Sequence, residues 1–304
     1  KGDVISFLRE CDGMEFIEAV KSLASEAGLS MPEPDPRARE KSDRRSRLIE
    51  VTEAACRWFR LQLQTGAAAE ARDYLARRGL DRESEAQFEI GFAPGHRTAL
   101  TSALRDKGFE EALIVEAGMA AKPVDGGPAY DRFRGRIVFP IRDGQGRCIG
   151  FGGRAMDPNA RAKYLNSPET PLFDKGRNLY NLGPARAAVG KGQPLIVAEG
   201  YMDVIALSRA GFQGAVAPLG TAITSEQLAA MWRLSPEPVI ALDGDAAGQR
   251  AAQRLIDLAL PLTGPGQALR FVLLPAGQDP DDLIRVAGQG AMKALLDQAR
   301  PLVD

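Results

Sequence analysis

The sequence predicts an α/β fold, a parallel sheet with helices on both faces, preceded by a basic α+β subdomain. The first observation behind this is a change of texture after Gly190, where short apolar runs at 195–198, 215–219, 239–242 and 269–274 alternate with helical patterns near 201–210, 225–234 and 246–260. A β-α-β-α-β-α-β order of this kind closes into a parallel sheet covered on both faces. The second is that acidic residues stand where those strands end. The third is a local excess of positive charge just upstream. Between residues 132 and 186 the bases are Arg132, Arg134, Arg136, Arg142, Arg147, Arg154, Arg161, Lys163, Lys175, Arg177 and Arg186, and the acids only Asp143, Asp157, Glu169 and Asp174.

The elements follow in chain order. Residues 3–28 carry apolar positions at the spacing of two short amphipathic helices, ending at Gly28. Prolines 32, 34 and 36 and the charged run 37–47 then predict an extended, solvated linker, with a domain boundary near residue 40. A helical pattern resumes over 48–63, with Trp58 and Phe59 on or beside its apolar face, as core residues. Further helices are expected over 70–78, 97–107 and 110–117. Residues 137–141 and 147–151 flank a glycine turn and predict a hairpin, so Gly144, Gly146 and Gly150 do not form a dinucleotide fingerprint. Thr224-Ser225-Glu226-Gln227 predicts a capping box at the start of the second helix of the parallel region.

Composition narrows the chemistry. Of 304 residues 44% are hydrophobic, enough for a large core, and 39 Lys and Arg against 40 Asp and Glu leave a net charge of -1, so any anionic partner must be met locally. No apolar run approaches the length of a membrane span and the first residues lack a signal-peptide core, so no membrane partner and a cytoplasmic location are expected. Cys11, Cys56 and Cys148 are widely spaced, without a C-x-x-C pair, and read as reduced thiols. The sole histidine, His96, follows a turn-like Pro94-Gly95 and is expected in a solvated loop. Histidine triads and multi-histidine metal sites are therefore set aside, and the chemistry falls to carboxylates.

Those carboxylates converge on one sheet edge. Glu199 ends the first predicted strand, Asp243 and Asp245 end the third with Gly244 between them, and Asp279-Pro280-Asp281-Asp282 follow the fourth. In open parallel sheets the carboxyl edge is where sites form. Alternate residues of an extended chain point the same way, so Asp243 and Asp245 are expected to share a cation. Asp279 also suits a helix N-cap with Pro280 at the first helical position. Clustered carboxylates repel one another unless a cation is present, and oxygen-only donors select Mg²⁺ or Mn²⁺.

Glu199-Gly200-Tyr201-Met202-Asp203, the 243–245 D-G-D and Asp279-Pro280-Asp281 resemble the three signature segments of the Toprim domain as found in bacterial DnaG-type primases. Residues 132–141, Phe151-Gly152-Gly153-Arg154, 163–170, 74–80 and Gly91-Phe92-Ala93-Pro94 resemble the primase motifs of the adjoining basic subdomain, which Toprim nucleases and topoisomerases lack. None of Tyr74, Tyr130, Tyr164, Tyr180 or Tyr201 sits in a recognisable topoisomerase DNA-binding domain. The resemblance covers essentially the whole chain. It implies a helical tail of a zinc-binding domain at 1–30, a linker at 31–47, a basic α+β subdomain at 48–190, the Toprim domain at 191–275, and at 276–304 the acidic segment with the opening of a helical subdomain. Zn²⁺ would belong only to a ribbon upstream of residue 1.

The implied activity is synthesis of short RNA primers from ribonucleoside triphosphates on single-stranded DNA by a monomeric core. The partner would be a replicative DnaB-type helicase, met through a further C-terminal module. Glu199, Asp243 and Asp245 would be catalytic, and with Asp279 and Asp281 would hold Mg²⁺ or Mn²⁺. Arg134, Arg136, Arg154, Lys163, Tyr164, Asn166 and Asp203 would contact nucleotide or template.

Overall fold

The computed structural model describes residue 20, residues 23–28, and residues 36–301 except 124 and 221. The first expected helices and the proline run lie largely outside these residues, as does Cys11. The backbone divides into two compact units, Lys1–Arg44 and Arg45–Asp304, and everything that follows belongs to the second except the start of the first helix.

That helix, α1, spans Pro36–Leu63 and corrects the reading of 37–47 as extended chain. A charge run that cannot form a core can still form an exposed helix when opposite signs recur at i, i+4, as Arg39 with Asp43 and Glu40 with Arg44 do. Further along, Leu48, Val51, Ala55, Phe59 and Leu63 make the buried stripe. Phe59 is core, edge-on to Phe133 and Phe151, and Trp58 packs partly buried beside it.

The basic subdomain continues through α2 (Ala69–Arg77), α3 (Arg82–Gln87), β1 (Gly91–Ala93), α4 (Ala99–Asp106), α5 (Glu111–Glu116), β2 (Ala120–Ala121), β3 (Tyr130–Asp131), β4 (Arg136–Arg142), β5 (Cys148–Ala155) and β6 (Tyr164–Asn166). The expected hairpin is β4–β5, bulged between Ile141 and Arg142, and it forms the centre of an antiparallel sheet in the order β1-β4-β5-β6. His96 is exposed in the loop after β1. Cys56 and Cys148 are free thiols brought together in the core, and burial pushes the Cys148 thiol up.

The second sheet is built from β7 (Leu179–Tyr180), α6 (Leu182–Val189), β8 (Ile196–Val197), α7 (Tyr201–Arg209), β9 (Ala215–Pro218), α8 (Ser225–Leu234), β10 (Val239–Leu242), α9 (Ala246–Ala259), β11 (Arg270–Leu273), α10 (Pro280–Asp297, broken at Gly288) and β12 (Arg300–Pro301). Its order is β12-β11-β10-β8-β9-β7; the four inner strands are parallel and both edges antiparallel. Leu179 and Tyr180, assigned by sequence to the basic subdomain, thus pair with this sheet. Strand alternation sends Ile196, Ala215 and Ala241 to one core and Val197, Val216 and Ile240 to the other, so both faces are covered. The capping box at Thr224 and Gln227 is present.

Because β8 is the first of the four parallel strands in sequence and lies between β9 and β10, the connections run from it in opposite directions. A crevice opens at such a switch point beyond the strands' carboxyl ends.

Candidate active site

Glu199 leaves β8 and Asp243 leaves β10, so the two acids face each other across that switch point. The Asp243 backbone N–H donates to Glu199 Oε1 at 3.0 Å, which fixes the glutamate's orientation. Gly244 is required next. The chain after β11 passes so close that a Cβ there would stand 2.1 Å from the Pro275 carbonyl oxygen. The same approach brings Asp279 to the cluster.

Burial, followed by the charges of Glu199, Asp279 and Asp245, pushes the Asp243 carboxyl up to about 7. Asp203, on the first turn of α7, is 7% exposed; burial and then Asp279, Asp243 and Asp281 push it well above the usual carboxylate range. Asp243 Oδ1 is buried without a hydrogen-bond partner.

The remaining acids are partly committed. Asp245 Oδ1 accepts from the Ala247 and Gly248 amides, capping α9. Asp279 Oδ1 caps α10 through the Asp282 amide at 2.6 Å. Asp281 is buried and ion-paired with Arg78, which also lies 3.5 Å from Asp282. No three carboxylates among the described residues form a ready-made metal cage. Mg²⁺ does not require one, because it keeps several waters and uses one or two carboxylates. The orphaned Asp243 oxygen, the oxygen-only donor set and the mutual repulsion suit such a cation.

Facing the acids is a cleft of about 380 Å³ whose walls include Tyr74, Arg78, Lys163, Tyr164, Asn166, Tyr201 and Asp203 beside Glu199, Asp243 and Asp279. Lys163 and Tyr164 enter from β6 and the residue before it, while Tyr74 and Arg78 come from α2 and its C-cap. Asn166 is already engaged: its Oδ1 accepts from the Tyr201 hydroxyl and its amide donates to the Leu219 carbonyl, each at 2.7 Å. Tyr201 stacks on Phe139, and Gly152 leaves it room, since a Cβ there would meet the Tyr201 ring at 2.2 Å.

Arg134, Arg136 and Arg154 of the basic subdomain are engaged within the protein. Arg154 lies 3.8 Å over the Tyr74 ring, outside the immediate cleft wall. Arg136 donates to the Gly153 and Ala162 carbonyls, and Arg134 to the Asp131 carbonyl while stacking on Tyr130. These two serve the fold of the basic subdomain as it stands. Tyr74 and Arg78 were not picked as site residues from sequence; the only signal was their place in the 74–80 segment of the resemblance.

Residues 58–186 match the family model of the DNA primase catalytic core, N-terminal domain, and residues 193–270 that of the Toprim domain. The chain is 41% identical over 303 residues to the DNA primase of Salmonella typhimurium, covering 99% of this chain and 52% of that protein. It spans about half the length of the curated relatives it matches. A DNA primase domain from Pseudomonas aeruginosa superposes with a TM-score of 0.79 at 42% identity, over 84% of this chain and 80% of that one. A DnaG primase catalytic domain bound to ssDNA does so with a TM-score of 0.77 at 42% identity, over 86% and 81%.

Proposed function

Since the chain belongs to the DnaG primase family, we propose that it carries the catalytic centre for RNA primer synthesis on single-stranded DNA, with Mg²⁺ or Mn²⁺ at Glu199, Asp243 and Asp279. The observation that carries this reading is the juxtaposition at the switch point: mutually repelling carboxylates on one wall and Lys163, Arg78 and Tyr164 on the other. A nucleoside triphosphate has the complementary pattern, a polyanion that needs cations and a base that stacks.

Lys163 and Arg78 meet the phosphate oxygens. When they do, Arg78 exchanges Asp281 and Asp282 for phosphate, which suits a guanidinium that pairs bidentately with either. Tyr164 offers a face for a base. Glu199, oriented by the Asp243 amide, stands ready to accept the proton of an attacking 3′-hydroxyl. A bound divalent cation would supply positive charge at the α-phosphoryl oxygens and the leaving pyrophosphate. Asp203, which also lines the cleft, would contact nucleotide or template. Asp245, whose Oδ1 caps α9, and Asp281, paired with Arg78, would complete the metal set. A related catalytic domain is bound to ssDNA, which supports assigning a single-stranded template to the basic side of the cleft. A monomeric core, a cytoplasmic setting and the helicase partner complete the reading, and no helix of the described residues is long and apolar enough to cross a membrane.

The test is ribonucleotide incorporation on a single-stranded template with Mg²⁺, with Mn²⁺ and with chelator. Template- and metal-dependent RNA products are expected. Strand cleavage without synthesis would replace the primase reading by a nuclease one.

A further inference from the structure

A groove of about 510 Å³, larger than the cleft at the acids, is walled by the C-terminal part of α1 and by α3. It shares no lining residue with that cleft. Arg57, Arg60, Leu61 and Gln64 recur at i, i+3, i+4 and i+7, so they form one stripe along α1, distinct from the buried stripe that ends in Phe59 and Leu63. Arg82, Glu85 and Ala86 repeat the spacing on α3, and Ile90, buried, forms the floor.

The fold makes no use of these walls. Leu61 is 67% exposed. A lone exposed leucine means little, but this one stands between arginines over an apolar floor, the composition of a contact surface. Arg57 and Arg82 make no hydrogen bond or ion pair among the described residues. Glu53, one turn before Arg57, is taken by Arg142 and by the Cys148 amide. Arg60 is held only by Glu89, at 3.6 Å. Three guanidinium groups thus rim an apolar strip, and among the described lining residues Glu85 is the one acid.

We infer that this groove docks an acidic amphipathic segment of a partner protein. The segment lays large apolar side chains on Leu61, Ala86 and Ile90 and sets carboxylates against Arg57, Arg60 and Arg82. Charge complementarity selects that occupant. Guanidinium forks pair bidentately with carboxylates, and arginine is enriched at protein interfaces and among their energetic anchors. A groove between two helices also suits an amphipathic helix, whose anchors at i, i+3, i+4 and i+7 match the spacing of the α1 stripe. A nucleic-acid strand fits less well. No aromatic ring is among the described lining residues to stack a base, and Glu85 in one wall and Glu89 beside Arg60 would repel a chain of phosphates. Since no lining residue is shared with the cleft, a segment seated here occupies none of the reacting groups, and its effect is to hold the chain at the partner.

The probe is a displayed library of random peptides of about 16 residues, enough for about four helical turns, selected on the wild-type chain with excess oligo-dT present. Enriched sequences should place two or more Asp or Glu around a pair of large apolar residues three or four positions apart. The best of them, synthesised with a fluorescent label, should bind the Arg57→Glu/Arg82→Glu variant at least about tenfold more weakly by anisotropy, the scale of losing charge pairs at an interface. Leu61→Ser should cost about fivefold through the lost apolar contact. Both variants change exposed positions, so melting temperature, oligo-dT affinity and nucleotide incorporation should match wild type.

A selection that yields no acidic and apolar consensus overturns the inference, and so does a consensus peptide that binds both variants as tightly as wild type. It is also overturned if the charge-reversed variant loses oligo-dT affinity by a similar factor, since the groove would then carry nucleic acid. Should that variant fail to fold, Arg57→Gln with Arg82→Gln decides the matter by the same readings.

Discussion

The carboxyl edge of the parallel sheet and the antiparallel sheet beside it carry opposite charge and hold it in opposite states. On the acidic side Asp243 keeps an orphaned buried oxygen, Asp203 is buried among other acids, and burial raises Asp281 despite its arginine. On the basic side Arg132 donates to the Asn166 carbonyl, Arg136 to Gly153 and Ala162, Arg142 to Glu53 and Glu89, and Arg147 to Asp143. The positive excess is largely consumed by the fold, whereas the negative one is left unbalanced. Formal charge along a sequence gives the sign of a surface; the hydrogen-bond partners decide how much of that charge reaches a ligand.

If the contrast is sound, the largest loss should come from the acid that the fold does not satisfy. Asp243→Ala is expected to reduce nucleotide incorporation by about a thousandfold or more, the scale of removing a group that organises transition-state charge. It should also remove most Mn²⁺ binding in calorimetry. Asp245→Ala should cost less activity, while losing the α9 cap and with it about 1 kcal/mol of stability. Comparable activity and metal affinity in the two variants would dissolve the distinction between an unsatisfied and a committed acid.

The basic side offers the next contrast. Lys163 lines the cleft and makes no ion pair among the described residues, whereas Arg136 is tied to two backbone carbonyls. Lys163→Ala should weaken single-stranded DNA or triphosphate binding roughly tenfold and lower the salt slope by about one. Arg136→Ala should leave that slope unchanged and lower the melting temperature instead. The reverse pattern, measured by fluorescence anisotropy over a salt series, would show that engaged arginines are released to bind nucleic acid.

What the sequence made legible follows the same line. The sheet, its helices and the acids at its carboxyl edge were readable because each depends on local apolar runs and their order. The Thr224 capping box was readable for the same reason. The Arg78 to Asp281 ion pair joins residues 203 positions apart, and the Asn166 to Tyr201 bond crosses from β6 to α7, so neither leaves a local trace. Over 37–47 prolines and charge mask the helix, whose sign is the i, i+4 recurrence of opposite charges. The pairing of Leu179–Tyr180 with β9 leaves no trace in sequence, since two residues show no periodicity and α6, β8 and α7 lie between the partners.

The smallest expected effect concerns pH, and it isolates the acid cluster from the rest of the molecule. The folded Asp243 carboxyl titrates near 7 and its ordinary value is 3.8. Between those values the folded chain holds a proton that the unfolded chain has released. Asp243 therefore contributes stability that is complete below its ordinary value and is lost as pH rises through 7. Asp203 and Asp281, also raised, act in the same direction. Glu53 and Asp143, which are lowered, oppose it only at more acidic pH, so the window from 5 to 8 is clean of them. With metal chelated, the wild-type melting temperature should rise by a few degrees from pH 8 to pH 5, and Asp243→Asn should show a flatter profile. At pH 8 the asparagine variant should be the more stable of the two, and the gap should close toward pH 5. Adding Mn²⁺ at pH 8 should reverse the order by stabilising wild type alone. An asparagine variant less stable than wild type at pH 8 under chelation would mean that favourable contacts hold the Asp243 carboxylate, and the unbalanced acid edge would lose its physical basis.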